Sequence, residues 1–279
     1  MTLRVADVAE LLLATAEAGG SAAAVAVVGG ADEGLVGRRL AVSLARPNSL
    51  AVTHGTLGSV SLDAAATELM HDAIADQRAR DGLREIEVEG VRVEFYLEVR
   101  RPVQELIVVG AGHVAQPMAH VGALLGFRVT VIDDRPDFAT RERFPDADRL
   151  IRVDFSDPFA DVPLTPRSHI LLVTRGHKYD YECLLRALRT DPPPAYIGMI
   201  GSRRRVRATY VQLIEEGIDR GLIDRIHAPV GLDIGSETPE EIAVSVAAEL
   251  VMLRRGGTGV PLKDVERVAE RFFTRSAGE

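Results

Sequence analysis

Residues 105–136, ELIVVGAGHVAQPMAHVGALLGFRVTVIDDRP, constrain the fold more than any other part of this 279-residue chain. The apolar run LIVV precedes a turn with two glycines, a helical pattern that begins near Val114, and a second apolar run that ends on Asp133. The order strand, glycine turn, helix and strand is typical of a βαβ unit with parallel strands. The segment therefore predicts an α/β domain built on a parallel sheet.

The turn itself, residues 110–115, fits the dinucleotide-binding pattern G-x-G-x-x-A. Gly110 permits the tight turn, Gly112 lets backbone approach a pyrophosphate, and Ala115 allows the helix and strand to pack closely. His113 and Val114 open the helix, where backbone amides bind phosphate. The His113 ring can cover a phosphate or cap the helix. A tight turn without a ligand is the alternative interpretation.

Asp133 follows at the end of the next strand, at the spacing that the pattern requires. Its carboxylate is predicted to accept hydrogen bonds from a ribose diol and to repel a 2′-phosphate. Arg135 can reverse that preference, and Asp134 is interpreted as a solvated residue.

Three later segments carry cations, glycines or a helix N-terminus just after predicted strands, at the edge where open α/β sheets bind ligands. The composition is acidic, with a formal net charge of −8, so an anion must be held by a local basic cluster. For the arginines after residue 203 a solvated helix face is the simpler interpretation, and for His177 a surface loop is an equal one. The predicted binding residues in these segments are Arg175, His177, Lys178, Gly201, Ser202, Arg203 and Asp233.

The chain before residue 102 has a different pattern. A helix is predicted over residues 5–18, short β-like runs over 22–60, and a helix over 63–80. Two alternating strands follow, joined at Glu89-Gly90, and end at residue 100. From Leu106 to the last helix, strands and helices alternate. One helix is predicted to begin at Asp180, and the last one at Pro239, with Thr238 and Glu241 as a capping box. We therefore predict a small N-terminal α+β domain, residues 1–101, and a C-terminal Rossmann-like domain, residues 102–279.

Composition excludes several classes of protein. The net charge argues against general nucleic-acid binding, and no apolar run approaches the roughly 18 residues that a membrane-spanning helix needs. A single cysteine, Cys183, fits a reducing compartment, and the histidines lack metal-ligand spacing. We expect a cytoplasmic protein without a metal site.

Four blocks carry a family resemblance: VVGAGHVAQPMAHVGALLGFRVTVIDDRPDFATRERFPDAD, TRGHKYD, YIGMIGSRRR and HAPVGLDIGSETPEEIAVSVAAELV. With them the chain resembles the XdhC/CoxI accessory proteins of xanthine dehydrogenase and related molybdenum hydroxylases. The resemblance implies a cytoplasmic homodimer that binds the molybdenum cofactor, assists its sulfuration by a cysteine desulfurase, and transfers it to the apo-enzyme.

The N-terminal half departs from the family pattern. Members carry a segment like G-S-x-S-G-G-C, which aligns best here with GTLGSVSLD, residues 55–63. Ser59 and Val60 then replace the paired glycines, and Ser61 replaces the cysteine. A neutral hydroxyl does not replace a soft thiolate in molybdenum or sulfur chemistry.

Three functions are compatible with these residues. The first is an accessory protein that carries molybdopterin or its dinucleotide form without any catalytic residue of its own. The second is an NAD(P)-dependent oxidoreductase with His177 or Lys178 as the acid–base group, although the chain has no Tyr-x-x-x-Lys pair. The third is a degenerate regulatory partner that binds a nucleotide or nothing.

Overall fold

A computed structural model of the protein describes residues 3–30, 32–45, 49–76 and 78–266. It has an antiparallel sheet of five strands in the N-terminal part and a parallel sheet of six strands in the C-terminal part. The last strand of the first sheet ends at Arg100 and the first strand of the second begins at Glu105, so the predicted boundary lies between them.

The N-terminal sheet has the strand order β3-β2-β1-β5-β4, with every neighbouring pair antiparallel. Helix α1 packs Val8 and Leu12 on one face of it, and α2 packs Leu62 and Met70 on the other, so β1 is buried on both sides. The elements are α1 (Val5–Glu17), β1 (Ser21–Gly30), a 3₁₀ turn (Glu33–Leu35), β2 (Arg39–Leu44), β3 (Val52–Gly55), α2 (Val60–Ala75), β4 (Gly82–Val88) and β5 (Val91–Arg100).

The prediction of β-like structure up to residue 60, followed by a helix from residue 63, is wrong at this junction. Strand β3 ends at Gly55, and the Ser59 hydroxyl caps α2 by accepting the Leu62 amide. Asp63 fixes the loop between them, because its carboxylate accepts the Leu57 amide at 2.6 Å. The turn between β4 and β5 is as predicted, with positive φ at both Glu89 and Gly90.

The C-terminal sheet has the order β11-β10-β9-β6-β7-β8, and all its pairs are parallel. This is the doubly wound Rossmann order, whose topological switch point lies between β6 and β9. Helices α3 and α7 cover one face, and α4 and α5 cover the other. The strands are β6 (Glu105–Val109), β7 (Arg128–Asp133), β8 (Arg149–Arg152), β9 (Ser168–Leu172), β10 (Tyr196–Met199) and β11 (Ile226–His227), and the helices are α3 (Ala115–Leu124), α4 (His177–Leu188), α5 (Arg203–Glu215), α6 (Arg220–Ile223), α7 (Pro239–Arg255) and α8 (Leu262–Glu266).

Two helix boundaries in this domain test the sequence reasoning. Helix α7 begins as predicted: the Thr238 hydroxyl accepts the Glu241 amide, and the Glu241 carboxylate accepts the Thr238 amide at 3.0 Å. Helix α4 begins at His177 and not at Asp180, so His177 and Lys178 belong to a first helical turn. Within the described ranges, no helix combines the length and apolar character needed to cross a membrane.

Gly122 sets how closely α3 approaches the sheet. A Cβ there would lie 2.5 Å from Leu106 Cδ2 and 3.3 Å from Val129 Cγ2, and Leu106 is fully buried. Although alanine is normally the better helix former, we expect Gly122→Ala to lower the free energy of unfolding by about 1–3 kcal/mol, because the core is overpacked. Urea denaturation measures this change.

The double variant Leu106→Ala/Gly122→Ala is the control. The smaller residue at position 106 makes room for the added methyl group, so the cost of Gly122→Ala should shrink or reverse in that background. Equal costs in both backgrounds would show that the α3–sheet contact does not limit residue 122.

Candidate functional site

The glycine turn between β6 and α3 is closed on one side and open on the other. Gly110 has φ of 102°, and a Cβ there would lie 2.8 Å from the Val173 carbonyl oxygen, so the fold itself requires glycine. A Cβ at Gly112 would meet no atom within 4 Å. Among the described residues, the amides of Gly112 and His113 donate to no protein group. The turn therefore presents free donors toward open space, as a phosphate site does.

Asp133 is buried and faces the underside of this turn. One carboxylate oxygen accepts the Ala111 amide at 2.7 Å and Arg135 Nη2 at 2.9 Å, and the other accepts the amide and Nε of Arg135, both at 2.9 Å. Burial alone raises the pKa of Asp133, but the hydrogen bonds from Arg135 and Ala111 hold it well below its usual range.

The ribose role of Asp133 stays a prediction, and this geometry does not favour it. Four internal donors already use both oxygens, whereas a ribose diol needs at least one of them. Arg135 is equally engaged, since its guanidinium also lies 3.5 Å from the centre of the Phe138 ring. The contacts support a different task for Asp133, which is to fix the Ala111 amide and thus the shape of the turn.

Arg143, which sequence reasoning missed, touches the turn from the other side. Its guanidinium donates to the Ala111 carbonyl at 3.1 Å and lies 4.6 Å from the centre of the Phe138 ring. It places a half-exposed cation beside the predicted phosphate position. The only sequence signal was its place in the family block FATRERFPDAD.

Two cationic residues follow β9, Arg175 and Lys178, and of these only Arg175 forms an ion pair with a described residue. Arg175 donates to both oxygens of Asp134 at 2.7 Å and to the Tyr179 hydroxyl at 2.7 Å, and these contacts raise its pKa. Asp134 is therefore an ion-pair partner of Arg175 and not simply solvated. Lys178 is exposed in the first turn of α4 and forms no ion pair with a described residue. His177 beside it is also exposed.

Thr174, Asp180 and Arg205 form a buried polar cluster that the sequence analysis did not predict. The Asp180 carboxylate is fully buried and accepts Arg205 Nε at 2.6 Å and the Thr174 hydroxyl at 2.7 Å. Arg205 also donates to the Thr174 carbonyl at 3.0 Å. Burial raises the pKa of Asp180, and Thr174 and Arg205 oppose that shift. The interpretation of the arginines after residue 203 as a solvated face is wrong for Arg205, which joins α4 and α5 to the end of β9.

The remaining predicted residues lie along the same edge. Ser202 caps α5, Arg203 is its exposed first residue, and Gly201 precedes both in a half-buried position. Neighbouring strands are about 4.8 Å apart, so the ends of β6 and β10 are separated by about 10 Å. One phosphorylated ligand can span that distance. Asp233 is exposed in the loop between β11 and α7.

A cavity of about 730 Å³ adjoins the ends of β7 and β8 on the α4 side. Its volume suits a base and sugar. It is lined by Asp134, Arg152, Val153, Asp154, Phe155, Ser156, Lys178, Tyr179 and Glu182.

The segment that replaces the family's Gly-Gly-Cys lies at the start of α2. The hydroxyls of Ser59 and Ser61 are 2.9 Å apart, with Ser59 as cap and Ser61 half-buried in the first turn. Cys183, the only cysteine of the sequence, is buried in α4, and burial raises its pKa well above the usual range. In the described ranges no group of three or more His, Cys, Asp or Glu side chains is arranged to hold a metal ion.

Known proteins resemble this chain in sequence and in fold. The family model of the XdhC Rossmann domain matches residues 106–250. The uncharacterized protein YqeB of Escherichia coli (strain K12) is 31% identical over 215 residues, which are 74% of this chain and 39% of that protein. A probable xanthine dehydrogenase subunit of Bacillus subtilis (strain 168) is 33% identical over 161 residues, 58% of this chain and 46% of that protein.

This chain therefore spans less than half of the length of these two curated relatives. A crystal structure of a xanthine dehydrogenase from Bacillus halodurans has a similar fold, with a TM-score of 0.52 at 20% identity. The match covers 89% of this chain and 96% of that chain, so the fold likeness includes both sheets.

The Ala111 amide and Arg135 hold the buried Asp133 carboxylate in an arrangement that we call the Asp133 clamp. This clamp predicts a pH-dependent contribution to stability. Asp133→Asn should lower the free energy of unfolding by about 3 kcal/mol at pH 7, because it breaks a buried ion pair. The folded-state pKa of Asp133 lies below its unfolded value, so the wild type holds this contribution above about pH 4 and loses it as the pH falls further. Urea denaturation from pH 7 to pH 3 should show the two proteins converging. A difference that is constant with pH would contradict the ionic clamp.

Ser61→Cys should create a reactive thiol. The position lies in the first turn of α2, where the helix dipole lowers a thiol pKa, whereas Cys183 is buried. At pH 7 we expect one equivalent of 5,5′-dithiobis(2-nitrobenzoate) to react with folded Ser61→Cys, and none with the folded wild type. The variant Ser61→Cys/Cys183→Ser is the control and should react identically. Equal reactivity of the wild type and Ser61→Cys would contradict the assignment of residue 61 to an accessible helix start.

Proposed function

The chain belongs to the XdhC family, and from this premise we propose that it is an accessory protein of a molybdenum hydroxylase of the xanthine dehydrogenase type. In this proposal it binds the molybdenum cofactor, as molybdopterin or its dinucleotide form, and transfers it to the apo-enzyme. One observation carries the proposal: the open glycine turn, whose Gly112 and His113 amides lack protein partners among the described residues.

The turn suits the phosphate end of this cofactor. Two free amides at the start of α3 and the Arg143 guanidinium offer donors to phosphate oxygens. Lys178 and Arg203 extend the positive charge along the edge of the sheet, and for a dinucleotide form the cavity beside Lys178 is large enough for the base and sugar.

The metal end of the cofactor finds no comparable ligand among the described residues. The only cysteine is buried, and the position of the family cysteine carries the Ser61 hydroxyl. We therefore propose that this chain holds the cofactor by its phosphate and organic parts. When bound, the cofactor supplies the redox chemistry of molybdenum, which belongs to the client enzyme.

The same proposal includes the expected partners. A cysteine desulfurase would supply the sulfur, because a chain without an accessible thiol cannot relay it through its own cysteine. The name of the Bacillus subtilis relative, a probable xanthine dehydrogenase subunit, supports a hydroxylase as the client. A cytoplasmic homodimer is the form that we propose for the protein.

Gly112→Asp is the test of this function. A carboxylate at residue 112 has space, since no atom lies within 4 Å of the Cβ position, but it repels a phosphate. We expect the variant to retain wild-type thermal stability and to lose at least tenfold in affinity for molybdopterin released from a molybdenum enzyme, measured by pterin fluorescence. Ala208→Asp, which adds the same charge on the exposed side of α5, is the control and should bind normally.

The same titration distinguishes the alternatives. Unchanged binding by Gly112→Asp would remove the glycine turn from the proposal. Oxidation of NADH or NADPH with a carbonyl compound, lost in Gly112→Asp, would favour the oxidoreductase over the carrier. Failure of the wild type to bind any pterin, together with binding to a hydroxylase, would favour the degenerate partner.

A further inference from the structure

A second and larger cavity lies at the opposite end of the parallel sheet, between the two sheets of the protein. Its volume is about 1250 Å³, and Gly19 and Ala45 line it from the N-terminal side. Pro102, Gly126 and Leu253 line it from the C-terminal side. Small-molecule sites usually measure about 300–1,000 Å³, so this cavity has room for a ligand as large as a nucleotide.

Positive charge dominates the lining. Arg101, Arg167, Arg254 and Arg255 all contribute to it, and no Asp or Glu side chain among the described residues does. Arg167 has a partner in Glu105, 3.8 Å away.

Arg101 and Arg254 form no ion pair with a described residue, and the Arg254 guanidinium lies 5.0 Å from the centre of the Phe127 ring. Arg101 donates to the carbonyls of Ala73 and Asp76, Arg254 donates to the carbonyl of Leu125, and the Nε of each arginine is buried without an acceptor among the described residues. Burial and the nearby Arg255 lower the pKa of both guanidinium groups, and the charges of Asp76 and Asp81 partly oppose this shift for Arg101. The described residues thus gather cations here, and among these residues neither Arg101 nor Arg254 is held in an ion pair by a carboxylate.

Aromatic and imidazole rings form the wall beside these cations. His169 and Tyr196 are stacked with centroids 6.0 Å apart, and Tyr196 and His227 follow at 4.7 Å. All three residues line the cavity. Glu249 lies behind this wall and is buried, and its oxygens accept Tyr196 Oη, His227 Nδ1 and the Gly231 amide. Glu249 thus holds the wall residues in place and forms no ion pair with a described arginine of the cavity.

We propose that this cavity is a second ligand site, separate from the glycine turn, for a small organic oxyanion with an apolar or aromatic body. The arginines match the fork geometry of carboxylate, sulfonate or phosphate oxygens. The rings and the apolar residues of the lining, such as Leu250 and Leu253, match the body of such a ligand. Neither the cavity nor the oxyanion that fills it depends on the proposed cofactor role.

Leu253 permits a test that changes charge alone. This residue lines the cavity from α7 with about half of its surface exposed, so a polar side chain there is tolerated. The matched pair Leu253→Glu and Leu253→Gln differs only in the negative charge. The probe is 8-anilinonaphthalene-1-sulfonate, an aromatic oxyanion whose fluorescence rises on binding, and adenosine monophosphate serves as the competitor.

We expect wild type and Leu253→Gln to bind the probe with affinities within about twofold, and Leu253→Glu to bind at least tenfold more weakly, because like charges repel across a confined site. Arg254→Gln should weaken binding about fivefold, and the exposed control Arg207→Gln should not. Adenosine monophosphate should displace the probe from the wild type.

Gly112→Asp separates this proposal from the cofactor role, since it should leave binding of the probe unchanged. Equal affinities of Leu253→Glu and Leu253→Gln would overturn the second site, as would loss of the probe in Gly112→Asp. Circular dichroism melting of each variant is the control for folding. A melting temperature equal to that of the wild type excludes unfolding as the cause of either result.

Discussion

The Asp133 carboxylate fixes the shape of the glycine turn, because it binds the Ala111 amide from below while Arg135 neutralises it. A buried carboxylate without these donors costs several kcal/mol, so we expect the contacts among Ala111, Asp133 and Arg135 to form cooperatively. The clamp joins the ends of β6 and β7 and directs the Gly112 and His113 amides outward. In the proposed function, anion binding at this edge of the sheet therefore depends on the buried Asp133 charge, which shapes the turn from below.

Local periodicity predicted most of the fold. Apolar runs and glycines gave the order of the Rossmann elements, and the Thr238–Glu241 cap of α7 was readable from four consecutive residues. The start of α2 was not, because a β-branched Val60 continues the preceding β-like pattern. In the structure the Ser59 hydroxyl caps the helix, and the Asp63 carboxylate holds the loop before it. Capping decided a boundary on which periodicity was ambiguous.

The sequence predicted the location of the candidate site better than the contacts within it. Topology alone brings Gly112, Lys178 and Arg203 to one edge. Whether an arginine is available to a ligand depends on ion-pair partners that are distant in sequence. Arg175 pairs with Asp134, and Arg205 pairs with Asp180. Neither periodicity nor spacing encodes such pairs, and the contact of Arg143 with Ala111 spans 32 residues.

Helix α7 runs from the loop that holds Asp233 to the cavity between the two sheets, where Arg254 reaches Leu125 at the end of α3. Its 17 residues make a rod of about 25 Å. The helix therefore spans the depth of the domain, from its Thr238–Glu241 cap to Leu253 and Arg254 in the cavity lining. Helix α7 thus belongs to the walls of both ends of the sheet, so its packing against α3 and the sheet bears on the geometry of each.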